Sequence, residues 1–433
     1  MLAMLSFVHI ITEFVFVLLQ FFLFLFNYML WRKNFFQPAV LFSFIWFIML
    51  ILHGICRITI LEGLNELSLS VLLVFFAGTL SFTAGGCFIY LYYRAKDSAS
   101  RKNAIAPPEI DLYLLIALVA VITFGLPFFI RASYQIFLAS QAEEFFRGLR
   151  TELTAGNADV GPTKYFMTLS FVVYATALYA YYRNKKSVNL ALLITSFLIT
   201  ATYSIFATGR TYFLIILSIY LGISLLANKS FSIKKYFAAL GIFILTFVLI
   251  GVMYGKGGSV YYSATENVRE ATKNLGIYVV TPMSGLDAEI NTISASTNGE
   301  LTLRFFNKIG IGLGLIPDKK VPDLIQEYVF VPYPTNVYTY YSPYIRDYGI
   351  WYACFVLFAS AIIHSWVYNK AVETKNVRYI FYYSFLLFPL LLSFFSDEYL
   401  TLLSLWLQVV FYTELIFFTN DYLIRKKTEE LKT

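Results

Sequence analysis

Eleven apolar runs, separated by short charged connections, constrain this chain more than any other feature. They cover residues 4–30, 38–56, 67–92, 111–130, 165–182, 188–207, 211–227, 236–254, 350–368, 379–396 and 399–418. A helix that crosses a bilayer needs about 20 predominantly apolar residues. Inside lipid only helices and closed barrels satisfy every backbone polar group. Barrel strands would alternate apolar and polar positions over about 10 residues. A run such as Phe14–Phe26 is instead apolar throughout except for Gln20. The expected fold is therefore all-α: a polytopic integral membrane protein of about 11 transmembrane helices, with one large outer loop of short helices.

Charge supports the same reading. Only 14% of residues are charged and 59% are hydrophobic, whereas soluble domains carry about 25% charged residues. This excludes a soluble globular chain and general disorder. The net charge of +7 does not point to nucleic acid, because the cations follow the loops. Segments 31–37, 94–110, 183–187, 228–235 and 369–378 and the tail from Arg425 hold 19 of the 33 Lys and Arg residues. Of the other 14, eight lie in one long loop, and long loops count little in the positive-inside rule. The N-terminus is expected outside and the C-terminus in the cytoplasm. The first run lacks a basic leader and a small-residue cleavage site, so it reads as a retained helix. Cys56, Cys87 and Cys354 fall in or beside apolar runs and imply no disulfide framework.

Loop size divides the chain into three expected parts: an eight-helix region at 1–254, a large outer loop at 255–348, and a three-helix region with a tail at 349–433. Within the large loop, Tyr262–Leu275, Ser284–Ala295 and Leu301–Gly312 have the spacing of amphipathic helices. Val329–Pro343, rich in Tyr and Pro, reads as an extended aromatic surface segment. No internal repeat is visible. Transporters often show one, whereas here eight runs precede the large loop and three follow it, an asymmetry that weighs against a transporter.

No phosphate loop, HExxH, GxSxG or cluster of His and Cys occurs. His9, His53 and His364 are scattered, as packed histidines in apolar helices are. No metal site and no cofactor are expected. Arginines stand out instead, because Arg57, Arg131, Arg210 and Arg346 fall at outer span ends, where the positive-inside rule disfavours them. Arg210 lies in Ala207-Thr208-Gly209-Arg210-Thr211-Tyr212, a break of a few residues between two spans. A guanidinium and the amides of a helix N-terminus would converge there, and both favour an anion. Asp347 follows Arg346, and Asp397 and Glu398 form the turn between the last two spans. These carboxylates are candidate bases, with a solvated turn as the bland alternative. Tyr338, Tyr340, Tyr341 and Tyr344 are candidate platforms for sugar faces, although Tyr is also common at membrane interfaces.

The stretch Pro334-Thr335-Asn336-Val337-Tyr338-Thr339-Tyr340-Tyr341-Ser342-Pro343-Tyr344-Ile345-Arg346-Asp347-Tyr348-Gly349 resembles the signature that closes the large outer loop of the oligosaccharide repeat unit polymerases, the O-antigen and capsule polymerases. It has the Asn-Val-Tyr-Thr core and the Asp-aromatic-Gly step into the next span. Thr208-Gly209-Arg210-Thr211 is similar to that family's Gly-Arg step between spans, and Tyr278–Leu286 resembles its stretch early in the loop.

The resemblance implies a metal-independent membrane glycosyltransferase in a bacterial inner membrane, contributing to lipopolysaccharide or capsule biosynthesis. Its substrates would be oligosaccharides linked to a polyprenyl diphosphate such as undecaprenyl diphosphate. Membrane lipid, a flippase and a chain-length regulator would be its partners, and nucleic acid would not. Asp347, Asp397 or Glu398 would accept a proton. Arg57, Arg131, Arg210 and Arg346 would hold diphosphate, and Asn336, Tyr338 and Tyr340 would contact sugar. Two rivals are a ligase that passes polysaccharide to a lipid and a flippase of lipid-linked oligosaccharide. Ligases of the related group carry a functional His in the outer loop, and residues 255–348 contain none.

Overall fold

In the computed structural model nearly every element is a helix. It describes residues 2–96, 109–154, 158–227, 234, 238, 241, 244–245, 264–290, 292, 296–316, 321–322 and 326–430. Fourteen helices are described: α1 Leu2–Leu30, α2 Pro38–Thr59, α3 Leu69–Lys96, α4 Leu112–Ser140, α5 Phe145–Thr154, α6 Lys164–Arg183, α7 Ser187–Phe206, α8 Thr211–Ala227, α9 Ala264–Ile290, α10 Arg304–Gly312, α11 Ser342–Tyr348, α12 Ile350–Thr374, α13 Val377–Leu391 and α14 Leu403–Glu430. The described strands, β1 Val329–Phe330 and β2 Pro334–Thr335, form one antiparallel pair. The chain is an all-α, multi-pass membrane protein.

Seven described helices are long and apolar enough to span a bilayer: α1 (over Ile11–Leu30), α2, α3 (over Leu69–Ala95), α4, α7, α12 and α14. Two further expected spans form the shorter apolar helices α8 and α13. The expected span 165–182 forms α6, which is not among the seven. It carries Thr, Ser and Tyr, and most of its length is buried. The expected span 236–254 lies largely outside the described residues.

Two compact units are present. The first comprises residues 1–103, 258–368 and 389–403, and the second comprises 104–257, 369–388 and 404–433. Residues 258–348 of the large loop belong to the first unit, with α1, α2 and α3. Two of its expected helices are one: α9 runs from Ala264 through Pro282 to Ile290. The third begins later than expected, at Arg304.

In the first unit, polar side chains pin apolar helices together. Pro38 starts α2, and Gln37 caps it by accepting from the amides of Ala39 (2.7 Å) and Val40 (3.2 Å). The Gln37 amide also reaches Ser365 Oγ at 3.1 Å on α12. Gln20 of α1 donates to Thr79 Oγ1 at 3.1 Å, and Asn27 donates to Thr83 Oγ1 at 2.9 Å, both on α3. Between them lies an aromatic core of Phe42 stacked on Phe82 at 4.1 Å and Trp46 against Phe75 at 4.6 Å. Small residues on α3 let neighbours approach closely. A Cβ at Gly85 would lie 2.4 Å from the Phe358 carbonyl of α12.

In the second unit, Asp111 caps α4 through the amides of Tyr113 and Leu114, at 3.0 and 3.1 Å. Its own amide donates to Asn420 of α14 at 2.8 Å, and its carboxylate pairs with Lys427. Arg378 bridges to Glu414 and Asp421, each at 3.0 Å.

Candidate functional site

The segment from 334 to 349 enters the first unit rather than lying on its surface. Tyr340, Tyr341 and Tyr344 are essentially inaccessible and Tyr338 is buried, contrary to the expected exposed aromatic segment. Burial is tolerated because each hydroxyl has a partner. Tyr338 donates to the Glu327 carbonyl at 2.6 Å and Tyr340 bonds Ser360 Oγ at 3.0 Å. Tyr341 donates to the Phe75 carbonyl at 3.4 Å, and its ring meets Trp46 edge-on at 5.2 Å. Tyr338 and Tyr340 are therefore packing residues here rather than open sugar platforms. Asn336 keeps intermediate exposure.

This segment is hydrogen-bonded to the Asp397–Glu398 turn. The Thr339 amide donates to the Phe395 carbonyl at 3.0 Å, and the Tyr340 amide donates to the Ser393 carbonyl at 2.9 Å. The Tyr344 hydroxyl donates to Asp397 Oδ1 at 2.7 Å. Asp397 also accepts from the amides of Tyr399 and Thr401, each at 3.0 Å, which shapes the turn between α13 and α14. The bland expectation of a solvated acidic turn is corrected, since both carboxyls are buried. Burial raises the affinity of Asp397 for its proton, against the pull of its hydrogen bonds. Burial also pushes Glu398 up to about 8; the Ser396 hydroxyl, at 2.7 Å, opposes this and the Asp397 charge adds to it. Three donors already engage Asp397. Glu398 is poised near neutral pH, where an acid–base group works best.

Arg346 and Asp347, adjacent in sequence, face different partners. Arg346 Nε pairs with Glu289 Oε1 of α9 at 3.1 Å, and its Nη1 donates to Gln326 Oε1 at 3.1 Å. Glu289 also accepts from Ser342 Oγ at 2.7 Å. Burial raises its proton affinity, and the Arg346 charge and the Ser342 hydroxyl only partly offset this. Asp347 is fully buried and receives four hydrogen bonds, from Thr297 Oγ1, the amides of Leu301 and Thr302, and Thr302 Oγ1. Although adjacent, Arg346 and Asp347 are held by different groups. Asp347 holds segment 297–302 against α11, where no proton-accepting face is left open. Gly349, at φ 84°, ends α11 and lets α12 begin.

The other arginines differ in setting. Arg57, in the last turn of α2, pairs with Glu13 of α1 at 3.2 Å and with Glu66 at 3.0 Å. Arg131 and Arg210 belong to the second unit. Arg131 is exposed and is not at a helix end, since α4 continues to Ser140. Arg210 is buried immediately before α8, in a break of four residues after α7, as the sequence spacing leads one to expect. A Cβ at Gly209 would lie 2.6 Å from the Tyr212 ring, so the close turn requires glycine.

Sequence reasoning missed Glu289, Gln326, Glu13 and Glu66 as partners of these arginines. Each is an unremarked acid or amide with no motif to signal it, and Glu13 and Glu289 lie 44 and 57 residues from their partners. His53 and His364 are buried, bonding Ser284 at 3.1 Å and Tyr399 at 2.7 Å. The side chain of His9 lies outside the described residues. Among the described residues, no three His, Cys, Asp or Glu side chains are grouped to hold a metal ion. No protein-family model, curated protein or solved structure matches the chain.

Proposed function

We propose that this protein is a membrane glycosyltransferase that joins polyprenyl-diphosphate-linked oligosaccharide repeat units into a surface polysaccharide. The reaction would take place at the outer leaflet of a bacterial inner membrane. A sugar hydroxyl of one unit attacks the anomeric carbon of the growing chain. A new glycosidic C–O bond forms as the bond to diphosphate breaks, and polyprenyl diphosphate leaves with the electron pair. The hydroxyl proton passes to a carboxylate, for which Glu398 is the proposed acceptor.

The main support is the pairing of the 334–349 segment with the Asp397–Glu398 turn. The two are about 50 residues apart in sequence, and Tyr344 Oη reaches Asp397 Oδ1 at 2.7 Å. The segment that resembles a polymerase signature is thus bonded to the turn that carries Glu398, the carboxyl whose proton affinity suits general acid–base work. Arginines suit a diphosphate leaving group because their planar fork matches its oxygens. Arg57 and Arg346 are held by carboxylates, so phosphate binding at either involves an exchange of anionic partner. Burial raises the proton affinity of Glu289 and so opposes the ionised form that holds Arg346.

The test uses the full-length protein in lipid vesicles, supplied with lipid-linked repeat units from cells lacking only this protein. The expected products are a ladder of chain lengths and free polyprenyl diphosphate. Movement of units across the bilayer with no ladder would overturn the reading in favour of a flippase. Orientation is checked separately, with Arg269→Cys on a background without native Cys. An impermeant reagent should label it in intact cells.

A further inference from the structure

Helix α10 turns its apolar side outward. Leu303, Phe306, Ile309 and Leu313 recur at helical spacing, and they are 37%, 57%, 44% and 68% exposed. Leu315, just past the helix, is also exposed, at 74%. The buried side carries Asn307, whose amide donates to the Gly299 carbonyl at 3.3 Å, and the small Gly310. A helix in water would show the opposite pattern. A contiguous exposed apolar face of this kind marks contact with a membrane or a partner.

The start of this helix is fixed to the start of a membrane span. The Thr297 amide donates to the Arg346 carbonyl at 3.0 Å, and the Leu301 and Thr302 amides donate to Asp347 at 3.3 and 2.7 Å. A Cβ at Gly299 would lie 2.5 Å from the Tyr348 hydroxyl, so the two segments touch. Residue 350 begins α12, one of the seven apolar helices long enough to span. Its first turn carries Trp351, 88% exposed, next to the half-exposed Tyr348. Trp and Tyr at the end of a span mark the headgroup level. Nine residues at 1.5 Å rise carry α10 only about 13 Å from that anchor.

We propose that α10 lies in the interface of the bilayer that α12 crosses, with its Leu303–Phe306–Ile309–Leu313 face among the upper acyl chains. Lys308 is exposed on the same helix, away from this face, and the guanidinium of Arg304 donates to the Pro322 carbonyl at 2.8 Å. Cations on the polar side of such a helix suit anionic headgroups. The occupant is lipid because the face continues from a span that lipid must already surround. The placement is independent of the reaction the protein performs.

The test uses the unmodified full-length protein in vesicles, with a carbene probe that partitions into the acyl chains and peptide mapping of the labelled sites. Residues 303–316 should be labelled about as strongly as the start of α12, and about tenfold more than the exposed Arg269 region of α9, as expected for an immersed face. A second measurement places a polarity-sensitive dye at Ile309→Cys on a background without native Cys. Lipid-borne quenchers should reach it and aqueous iodide should not. Quenching by iodide would put the face in water and overturn the proposal. Protection from both quenchers would show that protein covers it, a second copy or another chain, and would overturn it equally.

Discussion

Thr302 gives both its amide and its hydroxyl to one oxygen of Asp347, at 2.7 and 2.6 Å, while Leu301 and Thr297 donate to the other. A carboxylate so enclosed organises the backbone around it. It ties the residues before α10 to the last turn before α12.

Asp347→Asn should therefore lower stability. An amide nitrogen would face donors where an oxygen now accepts, at a cost of roughly 2–4 kcal/mol for lost charge-assisted bonds. Melting of the detergent-solubilised protein should fall, and product should fall in proportion to the folded fraction. An unchanged melt with no product would return Asp347 to the role of base.

Glu398 should make stability depend on pH. Its folded proton affinity lies above the ordinary Glu value, at about 8 against 4.5. Its contribution is thus fully present below about pH 4.5 and lost as pH rises through about 8. The shift corresponds to roughly 4–5 kcal/mol at its limit. Glu398→Gln mimics the protonated form, so relative to the variant the parent should lose thermal stability between about pH 5 and pH 8.5. Under the proposed reaction the same variant keeps its melt near neutral pH and forms no polymer. A full ladder from Glu398→Gln would remove it as the proton acceptor.

Gly78 should tolerate no side chain. A Cβ there would lie 2.2 Å from Cε1 of Tyr341, and that ring is fully buried. Gly78→Ala should cost roughly 1–3 kcal/mol by overpacking, read as a drop in melting temperature. Adding Tyr341→Leu should recover part of the loss, so the two changes should be non-additive. Strict additivity would show that the ring is not the obstacle.

Arg210→Ala should abolish polymer while single repeat units still reach the cell surface. Arg210→Lys should restore it only in part, since an ammonium lacks the bidentate fork. Immunoblots of protein level and of the surface ladder decide the matter. Normal chain lengths from Arg210→Ala would exclude a role in holding diphosphate.

Apolar runs were legible because lipid allows a chain few alternatives to helix. The α7–α8 break at Gly209–Arg210 was legible for a related reason, since a brief polar dip between two such runs has to be a turn. The 334–349 segment and the Asp397–Glu398 turn each stood out, but nothing in the sequence says that they touch. Arg346 illustrates the limit. Its neighbour Asp347 is the obvious partner, yet Glu289, 57 positions earlier, holds it. Composition misleads at Tyr340 and Tyr341, because a Tyr-rich stretch reads as interface unless buried partners for the hydroxyls are known. Pro282 misleads in the opposite sense. Proline removes one helical hydrogen bond, which suggests a break, but α9 continues through it with every residue from Val280 to Leu286 buried.

The slot at Gly78 also bears on how the protein is made. Phe75, which accepts from the Tyr341 hydroxyl, precedes it by 266 residues. At synthesis rates of about 5–20 residues per second, α2 and α3 wait between roughly 13 and 53 seconds for that ring. During this interval the α2–α3 pair carries a ring-sized gap between inserted helices. A ribosome stalled before residue 341 should leave Trp46 and Phe75 open to lipid or to an insertion chaperone, and release of that contact should coincide with emergence of the 334–349 segment.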